Sequence, residues 1–194
     1  MGGRVIFISG TPGTGKTTVS RLLSSKLNVP NIDLGKLAVR EKFVSGIDKK
    51  RGSLIVDVSK LKHRLKEIVE NSKGYVIVEG HYGVEVIPVK LLEFAFVLRC
   101  DPQVLSARLK KDRVKKEEIS ENLAAEILDI CLWDAIRAYS IKRVCEIDTT
   151  KKSVKPVVNE ILDVLRGKKK AAVGKVDWLS KLEKEGNLEK FMAY

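Results

Sequence analysis

Residues 4–27 of the chain read RVIFISGTPGTGKTTVSRLLSSKL. The apolar run at 5–8 predicts a buried strand, and the apolar side chains within 16–27 recur at the spacing of one helix face. Between them, residues 10–17 match the G-x-x-x-x-G-K-[ST] phosphate loop. A strand followed by this glycine-rich turn and a helix predicts a nucleoside triphosphate site.

Each position of the loop has a physical task. Glycines at 10, 13 and 15 permit positive φ and let backbone N–H groups approach phosphate oxygens. Lys16 is expected to reach the β- and γ-phosphates of ATP, and the Thr17 hydroxyl is expected to ligate Mg²⁺. The predicted nucleotide-binding residues are Gly13, Thr14, Gly15, Lys16, Thr17 and Thr18.

The composition suits a single α/β domain with an appendage, since the chain has 194 residues of which 44% are hydrophobic. No stretch approaches the roughly 20 apolar residues that span a bilayer, so no membrane association is expected. Cys100, Cys131 and Cys145 lack C-x-x-C spacing, which argues against a disulfide framework or a zinc site. With no signal segment visible, the expected location is cytoplasmic.

The chain is strongly basic, with a formal net charge of +12 from 37 basic and 25 acidic residues. This surplus favours polyanionic partners, which include nucleotides and RNA or an RNA-bound particle. A solvated basic surface without a specific partner is the alternative, because charge alone carries no specificity.

The order of the apolar runs predicts a three-layer α/β sandwich. Near-continuous apolar runs are typical of parallel strands covered on both faces, and they occur at 4–9, 75–79, 94–98 and 143–147, with a weaker one at 29–33. Helices are predicted at 16–27, 57–71, 102–113, 117–140 and 153–166.

Two inserts and a tail depart from this alternation. Residues 34–56 carry several cations, and 108–116 hold six cations in nine positions. The second group is either a solvated helix end or a mobile flap that closes on polyphosphate. After residue 166, a basic linker precedes apolar residues at helical spacing, and Gly186 should divide them into two short helices. This tail either packs on the chain itself or docks on a partner.

A second set of polar residues follows the apolar run at 75–79. Glu79 stands at the predicted carboxyl end of this strand, where an acid can orient Mg²⁺ across from the phosphate loop. A carboxylate that caps a helix is the alternative. His81 can accept a proton or orient an attacking water, or it can be structural. His63 lies in a basic helical segment and is predicted to be on the surface.

Five stretches, taken in order, carry a family resemblance. They are 10–18, Glu79-x-His81, 98–101, Arg108-Leu109 and 121–127. Over about residues 4 to 166 the chain resembles the adenylate kinase isoenzyme six family, which includes the coilin-interacting nuclear ATPase and the ribosome-assembly kinases of yeast and archaea. Many enzymes share the phosphate loop, so the acid-x-His with a short lid is the more diagnostic part.

The resemblance implies a P-loop nucleoside monophosphate (NMP) kinase-like fold for residues 1–166. This fold is a three-layer sandwich on a five-stranded parallel sheet, with an NMP-binding insert at about 31–54 and a lid at about 108–118. Adenine is then expected against the lid base and the loop 148–152. Residues 167–194, the basic linker and short helical extension, lie outside the resemblance.

The resemblance also implies an activity and partners. The activity is Mg²⁺-dependent transfer of the γ-phosphoryl group of ATP to a nucleoside monophosphate, AMP first, together with ATP hydrolysis. The implied cellular role is late maturation of the small ribosomal subunit. It would proceed by transient, ATP-controlled binding of the subunit's ribosomal protein S eleven, with ribosomal RNA or the pre-ribosomal subunit as a further partner.

The chain departs from the family's pattern at two places. Family members usually carry Asp and an aromatic residue before the histidine, whereas this chain has Glu-Gly at 79–80. An Asp-Arg pair at 112–113 stands where Arg-Gly is usual, so the arginine that clamps the monophosphate is open among Arg40, Arg108 and Arg113. The predicted catalytic residues are Lys16, Glu79, His81, Arg108 and Arg113, and the predicted metal ligands are Thr17 and Glu79.

Two other functions are compatible with the same motifs. In one, ATP binding gates a protein or RNA partner and turnover is incidental. In the other, the chain is a metabolic small-molecule kinase of the shikimate, gluconate or dephospho-coenzyme A type, which the fold class does not exclude.

Overall fold

The computed structural model describes residues 2–47, 54–80 and 83–192. The strands within these ranges are β1 (Arg4–Gly10), β2 (Asn31–Asp33), β3 (Val44–Ile47), β4 (Leu54–Val56), β5 (Tyr75–Glu79), β6 (Leu92–Arg99) and β7 (Val144–Asp148). The α-helices are α1 (Lys16–Leu27), α2 (Leu34–Arg40), α3 (Val58–Glu70), α4 (Gly83–Val86), α5 (Pro102–Lys111), α6 (Lys116–Ile127), α7 (Ile130–Tyr139), α8 (Val154–Leu165), α9 (Trp178–Lys184) and α10 (Leu188–Met192).

Five strands form one parallel sheet in the order β2-β5-β1-β6-β7, which confirms the predicted five-stranded parallel sheet. Alternate side chains of β1 point to opposite faces, Val5 and Phe7 to one core and Ile6 and Ile8 to the other. Helices α3 and α7 cover the first face, and α1 and α8 cover the second. The three-layer α/β sandwich is therefore confirmed.

The carboxyl edge of this sheet collects polar side chains from separate strands. Glu79 at the end of β5 is in register with Ile8 of β1 and with Asp33 of β2. On the other side of β1, Arg99 at the end of β6 is in register with Asp148 of β7. Because parallel strands end at one edge, residues far apart in sequence meet beside the phosphate loop.

The predicted helix 117–140 is wrong as a single element, because the chain forms α6 and α7 with a break between them. Asp129 at the break has a φ of 57°, in the left-handed region that aspartate tolerates better than most residues. Its side chain accepts a hydrogen bond from the buried guanidinium of Arg99. The break thus turns a polar side chain inward, a feature that apolar spacing does not reveal.

The insert at 34–56 contains structure that the sequence did not predict. After α2, strands β3 and β4 pair antiparallel, with Val44 opposite Val56. The weak signal has a simple reason, since Leu54 and Ile55 are exposed and belong to an apolar run of only three residues, 54–56. The cations Lys49, Lys50 and Arg51 lie outside the described residues.

The tail packs on the chain's own helices. Leu182 and Phe191 join Leu105 and Leu123 in a third apolar cluster, so that α9 and α10 cover α5 and α6. Gly186, with a φ of 65°, separates α9 from α10 where the sequence predicted an interruption. Of the two alternatives for the apolar residues of the tail, the described part of the chain shows packing on itself. None of the described helices combines the length and apolar character needed to cross a bilayer.

Candidate nucleotide site

The phosphate loop connects β1 to α1 through a backbone that only glycine allows at two positions. Gly10 has a φ of 134°, and a Cβ there would lie 2.4 Å from the carbonyl oxygen of Leu98 on β6. Gly15 has a φ of 100° and open space beside it, with no heavy atom within 4 Å of a Cβ position. It is also the N-cap of α1, and as a glycine it has no side chain that could cap the first N–H groups. Those donors are therefore available to an anion at the helix N-terminus.

A cleft of about 500 Å³ opens over this loop, and we term it the first cleft. Its lining residues are Gly13, Thr14, Gly15, Lys16, Thr17, Thr18, Val19, Arg108, Lys111, Asp112, Thr149, Lys152, Val154 and Val157. All six predicted nucleotide-binding residues are among them. Thr149 and Lys152 come from the loop after β7. The family resemblance alone had suggested this loop as part of the nucleotide site. Four cations and uncapped N–H groups around one cleft fit the charge of a polyphosphate.

Lys16 lies across the phosphate loop. Its Nζ donates hydrogen bonds to the carbonyl oxygens of Gly10, at 2.8 Å, and Thr11, at 3.2 Å. Burial lowers the pKa of Lys16, while the nearby groups of Cys131, Glu79 and others act to raise it. The ammonium group is thus held at the loop, with one of its three protons left for a ligand.

Glu79 joins the end of β5 to the start of α1. Its carboxylate accepts hydrogen bonds from the Thr17 hydroxyl at 2.8 Å and from the Ser20 hydroxyl at 2.9 Å. Both of these contacts are to side chains, so within the described residues Glu79 caps no helix. A buried carboxylate beside a threonine hydroxyl is the hard-oxygen donor set that Mg²⁺ prefers, and the two residues fit this ion. In the described ranges no group of three or more His, Cys, Asp and Glu could hold a metal, so substrate oxygens and water would complete the coordination.

Of the predicted catalytic residues His81, Arg108 and Arg113, the structure describes the two arginines, and only one of them lines the first cleft. His81 lies outside the described residues. Arg108 is in the first cleft, with Nη1 3.3 Å from the Gly13 carbonyl oxygen and Nη2 3.5 Å from that of Thr149. Arg113 is exposed and does not line the cleft, because it forms the turn between α5 and α6 with a φ of 57°. The turn presents Lys111 and Asp112 to the cleft instead.

A second cleft, of about 700 Å³, lies between β2, α2 and α3. Its lining residues are Arg21, Pro30, Asn31, Ile32, Asp33, Lys36, Leu37, Arg40, Arg64, Ile68 and Glu79. The lining holds four cations, and the Oδ1 atom of Asn31 is buried with no hydrogen-bond partner in the described part of the chain. Because Glu79 lines this cleft and contacts Thr17 of the first, the two clefts meet at one carboxylate. His63 is not among the lining residues and is exposed, as predicted.

A buried ionic network lies beside the phosphate loop. No role for it was predicted from the sequence. Arg99 contacts the carboxylates of Glu126, at 2.9 Å, and Glu146, at 2.6 Å, together with Asp129. Burial opposes the charge on Arg99, but the carboxylates outweigh it and raise the pKa of the guanidinium. Burial also raises the pKa of Asp129, although Arg99 lies beside it. One signal was present, because Glu126 follows Leu123 by three residues on the apolar face of α6.

Comparison with known proteins shows the family to which the chain belongs. The family described as AAA domain matches residues 6–129. The chain is 37% identical to the "Putative adenylate kinase" of Methanocaldococcus jannaschii, over 91% of this chain and 93% of that protein. It is also 37% identical to the protein of the same name from Archaeoglobus fulgidus, over 97% of this chain and 98% of that protein.

Solved structures share the fold. The shikimate kinase from Acinetobacter baumannii in complex with shikimate gives a TM-score of 0.61 at 19% identity, over 86% of this chain and 94% of that one. The shikimate kinase from Bacteroides thetaiotaomicron gives a TM-score of 0.57 at 22% identity, over 84% and 98%. At such identities the likeness concerns the fold alone, and it confirms the predicted P-loop kinase-like architecture.

Proposed function

The chain belongs to the AAA-domain family of P-loop proteins, together with the archaeal relatives that bear the adenylate kinase name, and from this premise we propose that it is a Mg²⁺-dependent nucleoside monophosphate kinase. The first cleft takes ATP, and the second takes the monophosphate, AMP first. The observation that carries the proposal is the contact between Glu79 and Thr17, because it joins the two clefts at the place where a phosphoryl group would pass.

In this proposal the described residues bind both substrates and offset the negative charge of the phosphoryl group during its transfer. The N–H groups at the start of α1 and Lys16 bind the β- and γ-phosphates. Arg108 and Lys152 offset the charge on the γ-phosphoryl group. An oxygen of the acceptor phosphate forms the new bond to the γ-phosphorus while the bond to the β–γ bridging oxygen breaks, which leaves two nucleoside diphosphates when AMP is the acceptor. Mg²⁺, which Thr17 and Glu79 would hold, supplies charge neutralisation at the β- and γ-oxygens when bound.

A coupled assay of ADP formation tests the proposal with the purified chain and ATP–Mg²⁺. AMP, CMP and UMP are compared as acceptors with shikimate, gluconate and dephospho-coenzyme A. We expect AMP to be the best acceptor. Phosphorylation of one of the metabolic acceptors, with no monophosphate accepted, would replace this proposal with the small-molecule kinase.

Arg40 is proposed as a clamp on the acceptor phosphate, because it lines the second cleft, its side chain is 69% exposed, and its recorded ion pair, to Glu41 at 3.2 Å, is a weak surface contact that a phosphate can replace. Arg40→Ala is expected to raise KM for AMP by about tenfold, the effect of one charge-assisted hydrogen bond, with KM for ATP unchanged. Initial-rate kinetics with each substrate varied measure this. Arg137→Ala, an exposed arginine that lines neither cleft, is the matched control. An equal rise of KM for both substrates would contradict the assignment.

Glu79 is proposed to position Mg²⁺ at the junction of the clefts. Glu79→Gln keeps the size of the side chain and removes its charge, so the Mg²⁺ concentration for half-maximal rate should rise by about 10–100-fold. Titration of MgCl₂ at fixed ATP gives this value. Glu79→Asp, the acid usual in the family that the chain resembles, should retain most of the wild-type affinity. Unchanged Mg²⁺ dependence in the glutamine variant would remove Glu79 from the metal site.

We also propose ATP hydrolysis, with His81 orienting water, and a role in small-subunit assembly through ATP-controlled binding of ribosomal protein S eleven or pre-ribosomal RNA. The family resemblance and the net charge of +12 support this. If His81 orients water, His81→Ala lowers ATP hydrolysis more than AMP phosphorylation, and equal losses count against it. A pull-down from cell extract with and without ATP tests the partner. Binding that ATP releases, in a chain with little kinase turnover, would favour the ATP-gated assembly factor instead.

A further inference from the structure

Thr11 is a residue of the phosphate loop whose side chain turns away from the first cleft. It is 1% exposed and is not among the residues that line the cleft. Its carbonyl oxygen accepts a hydrogen bond from Lys16 Nζ at 3.2 Å, whereas its hydroxyl donates to Glu126 Oε2 at 2.5 Å. Thr11 therefore links the lysine of the loop to a buried carboxylate of α6.

The other oxygen of Glu126 binds three donors from separate parts of the chain. Oε1 accepts from Arg99 Nε at 2.9 Å, from the backbone N–H of Cys100 at 3.0 Å and from Trp178 Nε1 at 3.2 Å. Trp178 is the first residue of α9 and is 8% exposed. A residue from the C-terminal tail thus bonds the same carboxylate that holds the phosphate loop.

The tail is attached to this network at a second point. Glu146 of β7 accepts a hydrogen bond from Arg99 Nη1 with one oxygen and from the backbone N–H of Lys175 with the other, each at 2.6 Å. The backbone N–H of Glu146 in turn donates to the carbonyl oxygen of Ala172 at 2.9 Å. The segment 172–178 is therefore fixed along β7 before Trp178 reaches Glu126.

The charges of the network explain why neutral donors are needed. One guanidinium, that of Arg99, faces the three carboxylates of Glu126, Asp129 and Glu146. A single cation cannot satisfy the buried carboxylates of Glu126 and Glu146 together with the partly exposed Asp129, and a buried carboxylate oxygen without a donor is costly. Among the described residues, Thr11 provides the hydrogen bond recorded for Glu126 Oε2, and Trp178 adds a neutral donor at Oε1. The loop and the tail thereby complete one set of bonds.

We propose that Glu126 is a positioning residue for the phosphate loop and that the C-terminal tail, through Trp178, is part of the support of the nucleotide site. A loop with glycines at 10, 13 and 15 loses much conformational freedom when it closes on phosphate. A fixed Glu126 holds Thr11, and with it the carbonyl that Lys16 contacts, before the nucleotide arrives. Such preorganisation lowers the cost of binding. This inference rests on the proposed function, since it concerns the site assigned to ATP.

Thr11→Val and Thr11→Ser form the first test. Valine keeps the shape of threonine and removes the hydroxyl, whereas serine keeps the hydroxyl. Because position 11 is free in the loop motif and its side chain does not line the cleft, a loss cannot come from a missing substrate contact. We expect Thr11→Val to raise KM for ATP by about tenfold, as for a lost hydrogen bond to a charged group, with KM for AMP unchanged. Thr11→Ser should stay within about twofold of wild type for KM of ATP.

Trp178→Phe and Phe191→Leu form the second test. Phenylalanine keeps an aromatic ring in the site of Trp178 and removes its N–H, so a rise of about threefold in KM for ATP is expected. Phe191 is also a buried residue of the tail, and it belongs to the apolar cluster that includes side chains of α5 and α6. Because it makes no contact with Glu126 among those recorded, Phe191→Leu should leave KM for ATP unchanged. In a double-mutant cycle the effects of Thr11→Val and Trp178→Phe should be non-additive, because both act on Glu126.

The kinetics are measured at a temperature where circular dichroism shows each variant to be folded, so that a loss of stability alone does not change KM. Wild-type KM for ATP in both Thr11→Val and Trp178→Phe would overturn the inference, as would an equal rise in Phe191→Leu. Calorimetric titration with ATP–Mg²⁺ gives the affinity without turnover. If the wild type binds ATP but phosphorylates no acceptor, the proposed function fails, while the affinities of the variants still decide the role of Glu126.

Discussion

Replacing Lys16 with methionine is expected to lower kcat for phosphoryl transfer on the order of 10²–10³-fold, the loss typical of removing one preorganised charge-stabilising donor. The Lys16 ammonium is half-buried at the loop and binds the carbonyl oxygens of Gly10 and Thr11, so it is in place before the phosphates arrive. Methionine keeps the length of the stem and removes the charge. Steady-state kinetics of ADP formation, with ATP affinity from calorimetry, measure the effect.

The matched control is Lys26→Met, in the last turn of the same helix. Lys26 binds the side chain of Asn159 at an exposed position and lines neither cleft. This variant should retain wild-type kcat and KM. If Lys16→Met kept both full activity and full ATP affinity, the assignment of the first cleft to ATP would be wrong, and the proposals that depend on it would have to be abandoned.

The sequence predicted the framework well because its signals are local. The apolar runs of β1, β5, β6 and β7 are near-continuous, since both faces of each strand are covered, and each was placed to within about two residues. Two features that carry no such local signal were not predicted. The hairpin of β3 and β4 has exposed apolar positions, and the break at Asp129 depends on a buried arginine that lies 30 residues earlier in the chain.

The site was predictable where a general rule brings distant residues together. Thr17 and Glu79 are 62 residues apart, but the rule that ligands bind at the carboxyl edge of a parallel sheet places them side by side. No comparable rule joins Thr11 to Glu126, which are 115 residues apart. An acid on the apolar face of α6 signalled a buried partner, but only the packing of α6 against the loop identifies it.

Arg99→Leu is expected to lower the free energy of unfolding by about 3–5 kcal/mol, the cost of leaving buried charges without their partner. Arg99 is 1% exposed and is the cation that contacts Glu126, Asp129 and Glu146. Leucine fills part of the space and leaves these carboxylates facing one another. Urea unfolding, followed by circular dichroism, gives the difference. Arg99→Lys should lose less of the free energy of unfolding, because it keeps the charge. Some loss should remain, because an ammonium cannot reproduce the planar set of donors of a guanidinium.

Because of Asp129, the loss of unfolding free energy in Arg99→Leu should depend on pH. Burial raises the pKa of Asp129 even with Arg99 present, and removal of the cation should raise it further. A carboxyl group with a raised folded-state pKa stabilises the fold at low pH and loses that contribution as the pH rises through the pKa. The difference in the free energy of unfolding between wild type and Arg99→Leu should therefore become smaller as the pH falls from about 8 to about 5.

Arg4→Leu is the control for removing an arginine at a strand of the same sheet. The Arg4 side chain is 42% exposed and pairs with Glu93 at 3.3 Å, and exposed pairs of this kind contribute about 0–1 kcal/mol. If Arg99→Leu cost no more than Arg4→Leu, the network would not be a buried ionic support. If the deficit of Arg99→Leu grew as the pH fell, Asp129 would be stabilised as the anion, opposite to what its burial predicts. A large loss that is confined to Arg99→Leu and shrinks in acid would mean that this charge balance stabilises the fold, and two of its carboxylates, Glu126 and Glu146, also bind the C-terminal tail.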